Sequence, residues 1–187
     1  MSVNPWHPWH SVSVGEKVPS IVTAIIEIPR GSKNKYEIDA DSGLLFLDRV
    51  LSSPMFYPIN YGFIPQTYCD DGDPLDVMVI GQDPVHPLSM MDVKVIGCMK
   101  MIDGGDADDK ILAVHVDDPQ FKHINDLKQM EEINPHYLKE IEQFFKTYKL
   151  LENKKVEIVG WCGKEDAEKI INESIDFYNR NKEMLKK

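Results

Sequence analysis

Cysteine is scarce in this 187-residue chain: Cys69, Cys98 and Cys162 form an odd, widely spaced set with no Cys-x-x-Cys pair. That excludes a disulfide scaffold or a zinc knuckle, and reduced thiols are the expectation. No apolar run reaches membrane-spanning length, and the N-terminus has neither a basic n-region nor an apolar h-region. A cytoplasmic protein with no membrane partner follows as the expectation. Basic residues are also short, 21 Lys+Arg against 31 Asp+Glu for a net charge of −10, which argues against a nucleic-acid partner. There is no Gly-x-x-x-x-Gly-Lys-Ser/Thr loop, no Gly-x-Gly-x-x-Gly, and no Ser–His or Cys–His arrangement that would mark a nucleophile. The histidines are few: His86, His115, His123 and His136 are scattered, and His7 and His10 have no further ligands beside them. With 42% hydrophobic and 28% charged residues, the chain reads as globular. Its length suits one ordinary domain with a real core.

What the chain does have is Asp70-Asp71-Gly72-Asp73-Pro74-Leu75-Asp76, followed at once by the apolar run Val77–Ile80. Gly72 permits a backbone angle that a side chain forbids and Pro74 fixes φ, so a stiff loop is expected. Leu75 and Val77 should point inward, leaving Asp73 and Asp76 on the other side. Such a loop gathers hard oxygen ligands. A calcium-sensor loop fits poorly, because Gly81 and Gln82 stand where its closing Glu belongs, so Mg²⁺ is the better match.

In chain order, residues 1–19 read as a Trp-anchored N-terminal arm carrying Trp6-His7-Pro8-Trp9-His10, and 20–187 as a single domain without repeats or low-complexity tracts. Ile21–Ile28 is a β-branched strand with a carboxylate, Glu27, near its end. Lys35–Asp39 alternates faces, and the turn Asp41-Ser42-Gly43 leads to its hairpin partner Leu44–Val50, which carries Asp48 and Arg49. The prolines at 58 and 65 favour an edge or bend for the aromatic stretch Met55–Phe63. Val93–Met101 and Ile111–Val116 are strands joined by a second acidic turn, Asp103–Lys110, whose tip can meet the first acidic loop at one rim. Asn134 as N-cap and Pro135 as first residue open an amphipathic helix to about Leu151. A strand over Lys155–Trp161 follows, then a helix from Lys164 with Ala167, Ile171, Ser174 and Tyr178 on one face.

The chemistry-bearing residues form a mixed set: acids Glu27, Glu37, Asp71, Asp73, Asp76, Asp103 and Asp108, cations Lys35, Arg49, Lys110 and Lys149, and phenols Tyr57, Tyr61 and Tyr148. Carboxylates alone repel phosphate. Carboxylates that hold Mg²⁺ and face Arg and Lys suit a small, highly charged phosphate ester or anhydride. Attack by water assisted by bound ions is then the economical mechanism.

Asp71-Gly72-Asp73-Pro74-Leu75-Asp76-Val77 resembles the signature of the family I soluble inorganic pyrophosphatases. Glu27-Ile28-Pro29, Lys35-Tyr36-Glu37-Ile38-Asp39, Asp48-Arg49, Phe56-Tyr57-Pro58, Asn60-Tyr61-Gly62, Lys100-Met101-Ile102-Asp103, Phe144-Phe145 and Tyr148-Lys149 follow the family order between about Val18 and Tyr178. The resemblance implies a mainly β fold with α-helices, an OB-like five-stranded β-barrel with flanking helices, whose catalytic domain is residues 20–187. It also implies Mg²⁺-dependent hydrolysis of pyrophosphate to two orthophosphates by a homohexamer. Asp71, Asp76, Asp103, Asp108 and Glu27 would be metal ligands, with Asp106 and Asp109 close rivals of Asp108. Lys35, Arg49, Lys110, Tyr148 and Lys149 would hold phosphate, and Tyr61 would support the site beside the nucleophilic water. Asp73 would be the base, so the catalytic set is Asp73, Tyr61, Lys35 and Arg49. Two other classes share parts of this pattern. A non-catalytic OB-like binding module explains the barrel but lacks interleaved aromatic and basic residues. An acidic divalent-cation-binding protein explains the carboxylates but leaves Lys35, Arg49 and Lys149 without a purpose.

Overall fold

The computed structural model describes residues 6–185. The first elements are α1 (Pro8–Ser11), β1 (Ile21–Ile28), β2 (Asn34–Ile38), β3 (Leu45–Val50), β4 (Asn60–Phe63) and β5 (Asp76–Ile80). They are followed by β6 (Met90–Asp103), β7 (Asp106–Ala107), β8 (Lys110–His115), α2 (Leu127–Ile133), α3 (Tyr137–Thr147), β9 (Val156–Cys162) and α4 (Lys164–Leu185). Strands β1, β4, β5, β8 and β6 pair in that order, and β6 pairs again with β1, so five strands close into a ring. Every pairing in the ring is antiparallel except β5 with β8. This is the OB-like, mainly β architecture expected, and closure removes the open edges an ordinary sheet presents.

The long strand β6 makes closure possible. Its start pairs with β1, its middle with β8 and its end with β9. A bulge at Ile96 of β6 and another at Val159 of β9 interrupt these ladders where β6 passes from one partner to the next. A Cβ on Gly97 would lie 2.5 Å from Leu127 Cγ and 2.8 Å from the Cys162 carbonyl, so glycine is required there. Apolar residues pack on both faces of the strands. One cluster is covered by Leu138, Ile141, Phe144 and Phe145 of α3, the other by Ala167 and Ile171 of α4. The β2–β3 hairpin is a separate two-stranded sheet beside the ring.

Four local expectations need correction. Asn60–Phe63 is no edge or bend but an interior strand between β1 and β5, with all four residues buried. Pro58 and Pro65 lie just outside it and remove no ladder hydrogen bond. Asn134 is the C-cap of α2, a helix the sequence pattern did not show, and its side chain accepts from the His136 N–H. Helix α3 therefore starts at Tyr137 and ends at Thr147. A 3-10 turn over Leu150–Glu152 then carries the chain through left-handed Asn153 (φ 57°) to β9. Finally, Cys98 and Cys162 are not reduced thiols. They stand opposite each other in the β6–β9 register, Cα atoms 5.1 Å apart, and are joined as a disulfide. Their 64-residue separation hid a pairing that only strand register creates.

Candidate active site

Two β-bulges aim the side chains of the site. In β1, Ile26 pairs with Gly62 and Ile28 with Tyr61, so Glu27 is the extra residue. The inserted residue sends Ile26 and Ile28 to different core clusters and leaves Glu27 buried facing the hairpin. Its Oε1 accepts the Ile38 backbone N–H at 2.7 Å. Burial, opposed by that bond, raises its pKa to about 8. In the hairpin, Lys35 pairs with Arg49 and Tyr36 with Leu47, so Asp48 is the extra residue there. Lys35 is ion-paired with Glu37 and lies 3.8 Å from Asp48. Arg49 is ion-paired with Asp48 and reaches Glu152 at 3.3 Å.

The acidic loop is cross-braced by its own hydrogen bonds, and Gly72 takes the backbone angle expected of it. The Cys69 N–H donates to the Asp73 carbonyl, the Asp73 N–H donates to Asp71 Oδ1, and Gly72 takes φ +96°. Leu75 and Val77 are buried in the core, and the carboxylates turn to the other side. Burial raises Asp71 to about 6, with Asp76 and Asp73 adding to the effect. Burial followed by Asp76 likewise raises Asp73, while Lys35 pulls it down.

At the centre is Lys110, 2% exposed, opposite Asp76 in the parallel β5–β8 pair. Its ammonium donates to Asp76 at 2.6 Å, Asp108 at 2.9 Å and the Tyr61 hydroxyl at 2.9 Å. The Tyr61 O–H in turn donates to Asp76. Burial works to lower the lysine's pKa, but Asp76 and Asp108 more than offset it and hold the charge on. Burial and the nearby carboxylates keep the Tyr61 and Tyr148 hydroxyls protonated. Lys149, just past α3, is ion-paired with Asp103 at the end of β6.

These groups line one cavity of about 360 Å³. Glu27, Glu37, Lys35, Arg49, Tyr61, Asp71, Asp73, Asp76, Asp103, Asp108, Lys110, Tyr148 and Lys149 all reach it, so the two acidic turns do meet at one rim. Among the rivals of Asp108, Asp106 also lines the cavity, whereas Asp109 is paired with Lys100 at 3.3 Å. Tyr57 is the nominated residue that lies elsewhere: it is core, packed against Tyr61 and Phe144. Trp9 and Lys154 line the cavity unannounced by the sequence. Lys154 gave no signal at all. Trp9 gave only that of a buried anchor.

The description of one family, inorganic pyrophosphatase, matches residues 24–179. The chain belongs to that family. Soluble inorganic pyrophosphatase 2 of Chlamydomonas reinhardtii is 49% identical over 175 residues, spanning 94% of this chain and 90% of the relative. The crystal structure of the inorganic pyrophosphatase from Thermus thermophilus superposes with a TM-score of 0.85 at 40% identity, covering 90% of this chain and 97% of that one. The type I inorganic pyrophosphatase from Toxoplasma gondii superposes with a TM-score of 0.87 at 27% identity, covering 93% and 88%.

For a pyrophosphatase site, the donor chemistry can be tested against a divalent cation. Among the described residues, no three acidic, histidine or cysteine side chains are drawn into one closed coordination shell. Lysine ammonium groups take up the space, Lys110 between Asp76 and Asp108 and Lys149 on Asp103. The set nonetheless fits a hard cation. Eight carboxylates face five cationic side chains around the cavity, so acidic oxygen donors outnumber the cations there. Oxygen donors in surplus, without soft ligands, match Mg²⁺.

Proposed function

We propose that this protein hydrolyses inorganic pyrophosphate to two orthophosphates with Mg²⁺ as cofactor. One observation carries the reading. The acidic loop, the acidic turn and the cationic hairpin, distant in sequence, line a single small cavity. Asp71, Asp76, Asp103, Asp108 and Glu27 would hold the metal, which when bound neutralises phosphate charge and acidifies water. Lys35, Arg49, Tyr148 and Lys149 would grip the phosphates as charge-assisted donors. Lys110, held charged by its acidic partners, would face a phosphate oxygen while ordering Asp76 and Tyr61. Asp73, raised in pKa and free to face the cavity, would take the proton of the attacking water. A plain cation-binding protein has no use for Lys35 and Arg49 at this position. By family likeness we further infer a homohexamer in the cytoplasm.

The test is phosphate release from pyrophosphate at neutral pH. Release should require millimolar-range Mg²⁺ (roughly the regime of a partly hydrated, weakly held ion) and stop on chelation. Phosphomonoesters should be turned over poorly, because the acids and cations that line the cavity are matched to a small, highly charged anion. No release with Mg²⁺ present sinks the proposal.

A further inference from the structure

Among the described residues the cationic hairpin pairs with no strand of the ring, so other contacts hold its tip. Its base is tied by backbone bonds, among them Leu51 N–H to the Lys33 carbonyl and Gly31 N–H to the Tyr57 carbonyl. At the tip, the N-terminal arm takes over. His7 is 5% exposed and caps α1, its Nδ1 accepting the Trp9 backbone N–H at 3.2 Å. Nε2 therefore carries the proton and donates to the Asp39 carbonyl at 3.4 Å. That carbonyl also accepts the Gly43 N–H that closes the hairpin turn. The arm packs so close to the turn that a Cβ on Gly43 would come within 2.9 Å of His7 Cδ2 and of Pro8 Cδ. Ile38, at the end of β2, packs into the cluster of Trp9, Ile25, Phe63 and Tyr178, while its N–H is given to Glu27.

The other end of the arm grips the opposite wall. The Trp9 indole N–H donates to the Thr67 carbonyl at 2.7 Å, and the Trp9 carbonyl accepts the N–H of Gln66, a residue held at φ +56°. The Thr67 hydroxyl accepts the N–H of Leu75, inside the acidic loop, at 2.9 Å. One short segment thus bridges the hairpin that carries Lys35 and Arg49 and the loop that carries Asp71, Asp73 and Asp76. Trp9 itself forms part of the cavity wall between them.

We propose that His7 and Trp9 are positioning residues: the arm is a strap that sets the distance between the phosphate-gripping hairpin and the acidic loop. This rests on the reading of Lys35 and Arg49 as phosphate-binding groups. A loosened hairpin loses binding to substrate and transition state alike, so KM should rise more than kcat falls.

The experiment compares His7→Ala, Trp9→Ala, Lys35→Ala and the His7→Ala/Lys35→Ala double variant for KM and kcat on pyrophosphate, with thermal midpoints recorded alongside. His7→Ala removes the grip on the hairpin but leaves Trp9 anchored, so it should fold even where Trp9→Ala does not. Each strap variant should raise KM by about 10-fold with a smaller change in kcat. In the double variant the two effects should combine to less than their product, because the strap acts through the hairpin. Unchanged KM in folded His7→Ala, with only the thermal midpoint lowered, overturns the strap. Full multiplicativity with Lys35→Ala overturns it as well. If Lys35→Ala alone leaves KM unchanged, it is the phosphate-binding reading that fails, and the two failures are told apart.

Discussion

Asp71, Asp73 and Asp76 carry the same charge in one short loop, yet their surroundings differ. Asp76 is bound by Lys110 and Tyr61, and Asp71 is braced by the Asp73 N–H. Asp73 faces the cavity with a raised pKa and the charge of Lys35 nearby. In the proposed mechanism the first and last are metal ligands and Asp73 is the base, and mutation can separate the two roles. Removing a ligand charge weakens metal binding, so raising Mg²⁺ should partly restore Asp71→Asn and Asp76→Asn. Asp73→Asn should keep its metal affinity and lose about 10²–10⁴-fold in turnover at any Mg²⁺ concentration. Rates measured against Mg²⁺, with calorimetric titration of the metal, decide the matter. Recovery of Asp73→Asn at high Mg²⁺ would make it a ligand and move the base elsewhere.

At the scale of elements, the bulges matter more than the strands. In a regular strand Ile26 and Ile28 would share one face, whereas the bulge at Glu27 sends them to different core clusters and leaves the carboxylate aimed at the hairpin. Beside the bulge β1 and β4 approach closely: a Cβ on Gly62 would stand 1.9 Å from the Ile25 carbonyl oxygen. Gly62→Ala must push two backbones apart at the base of the site. We expect it to lower stability by about 1–3 kcal/mol or more and to depress activity in the fraction that folds. Chemical denaturation reads the first and a specific-activity assay the second; a variant with an unchanged denaturation midpoint and normal activity would show that β1 can shift freely. That glycine was visible in the sequence as part of Asn60-Tyr61-Gly62, but the need for it was not, because only the β1–β4 pairing brings the Ile25 carbonyl against it.

For the molecule as a whole, the ring leaves apolar side chains outside it, including Leu44, Phe46, Leu47 and Phe56 on and beside the hairpin. Symmetric association offers such residues burial. The homohexamer proposed above predicts a hexameric mass by light scattering at micromolar concentration (on the order of a typical non-obligate dissociation constant). A monomer mass under those conditions excludes it. No helix of the described residues is long and apolar enough to cross a membrane.

The elements with strong local pattern were legible from residues alone. The β-branched run Ile21–Ile28, the alternating hairpin, and the stripe Ala167, Ile171, Ser174 and Tyr178 lie where their periodicity placed them. Charge and spacing also sufficed to nominate nearly every polar group in the cavity, because the acids and cations cluster at turns, where strands end. Family likeness then supplied roles that no spacing can. What the chain could not disclose by itself depends on groups far apart in sequence meeting. Lys110 looks like a surface residue in an acidic turn until parallel pairing with β5 sets it against Asp76 and buries it. Cys98 and Cys162 become a pair only through the β6–β9 register. Asn134 has the side chain of either helix cap, and the packing of α2 decided which end it serves. Trp9 announces an anchor, but only the folded chain shows it joining the two walls of the cavity. Local propensity and charge act over a few residues, whereas register, bulges and burial are settled by contacts that exist only once the ring has closed.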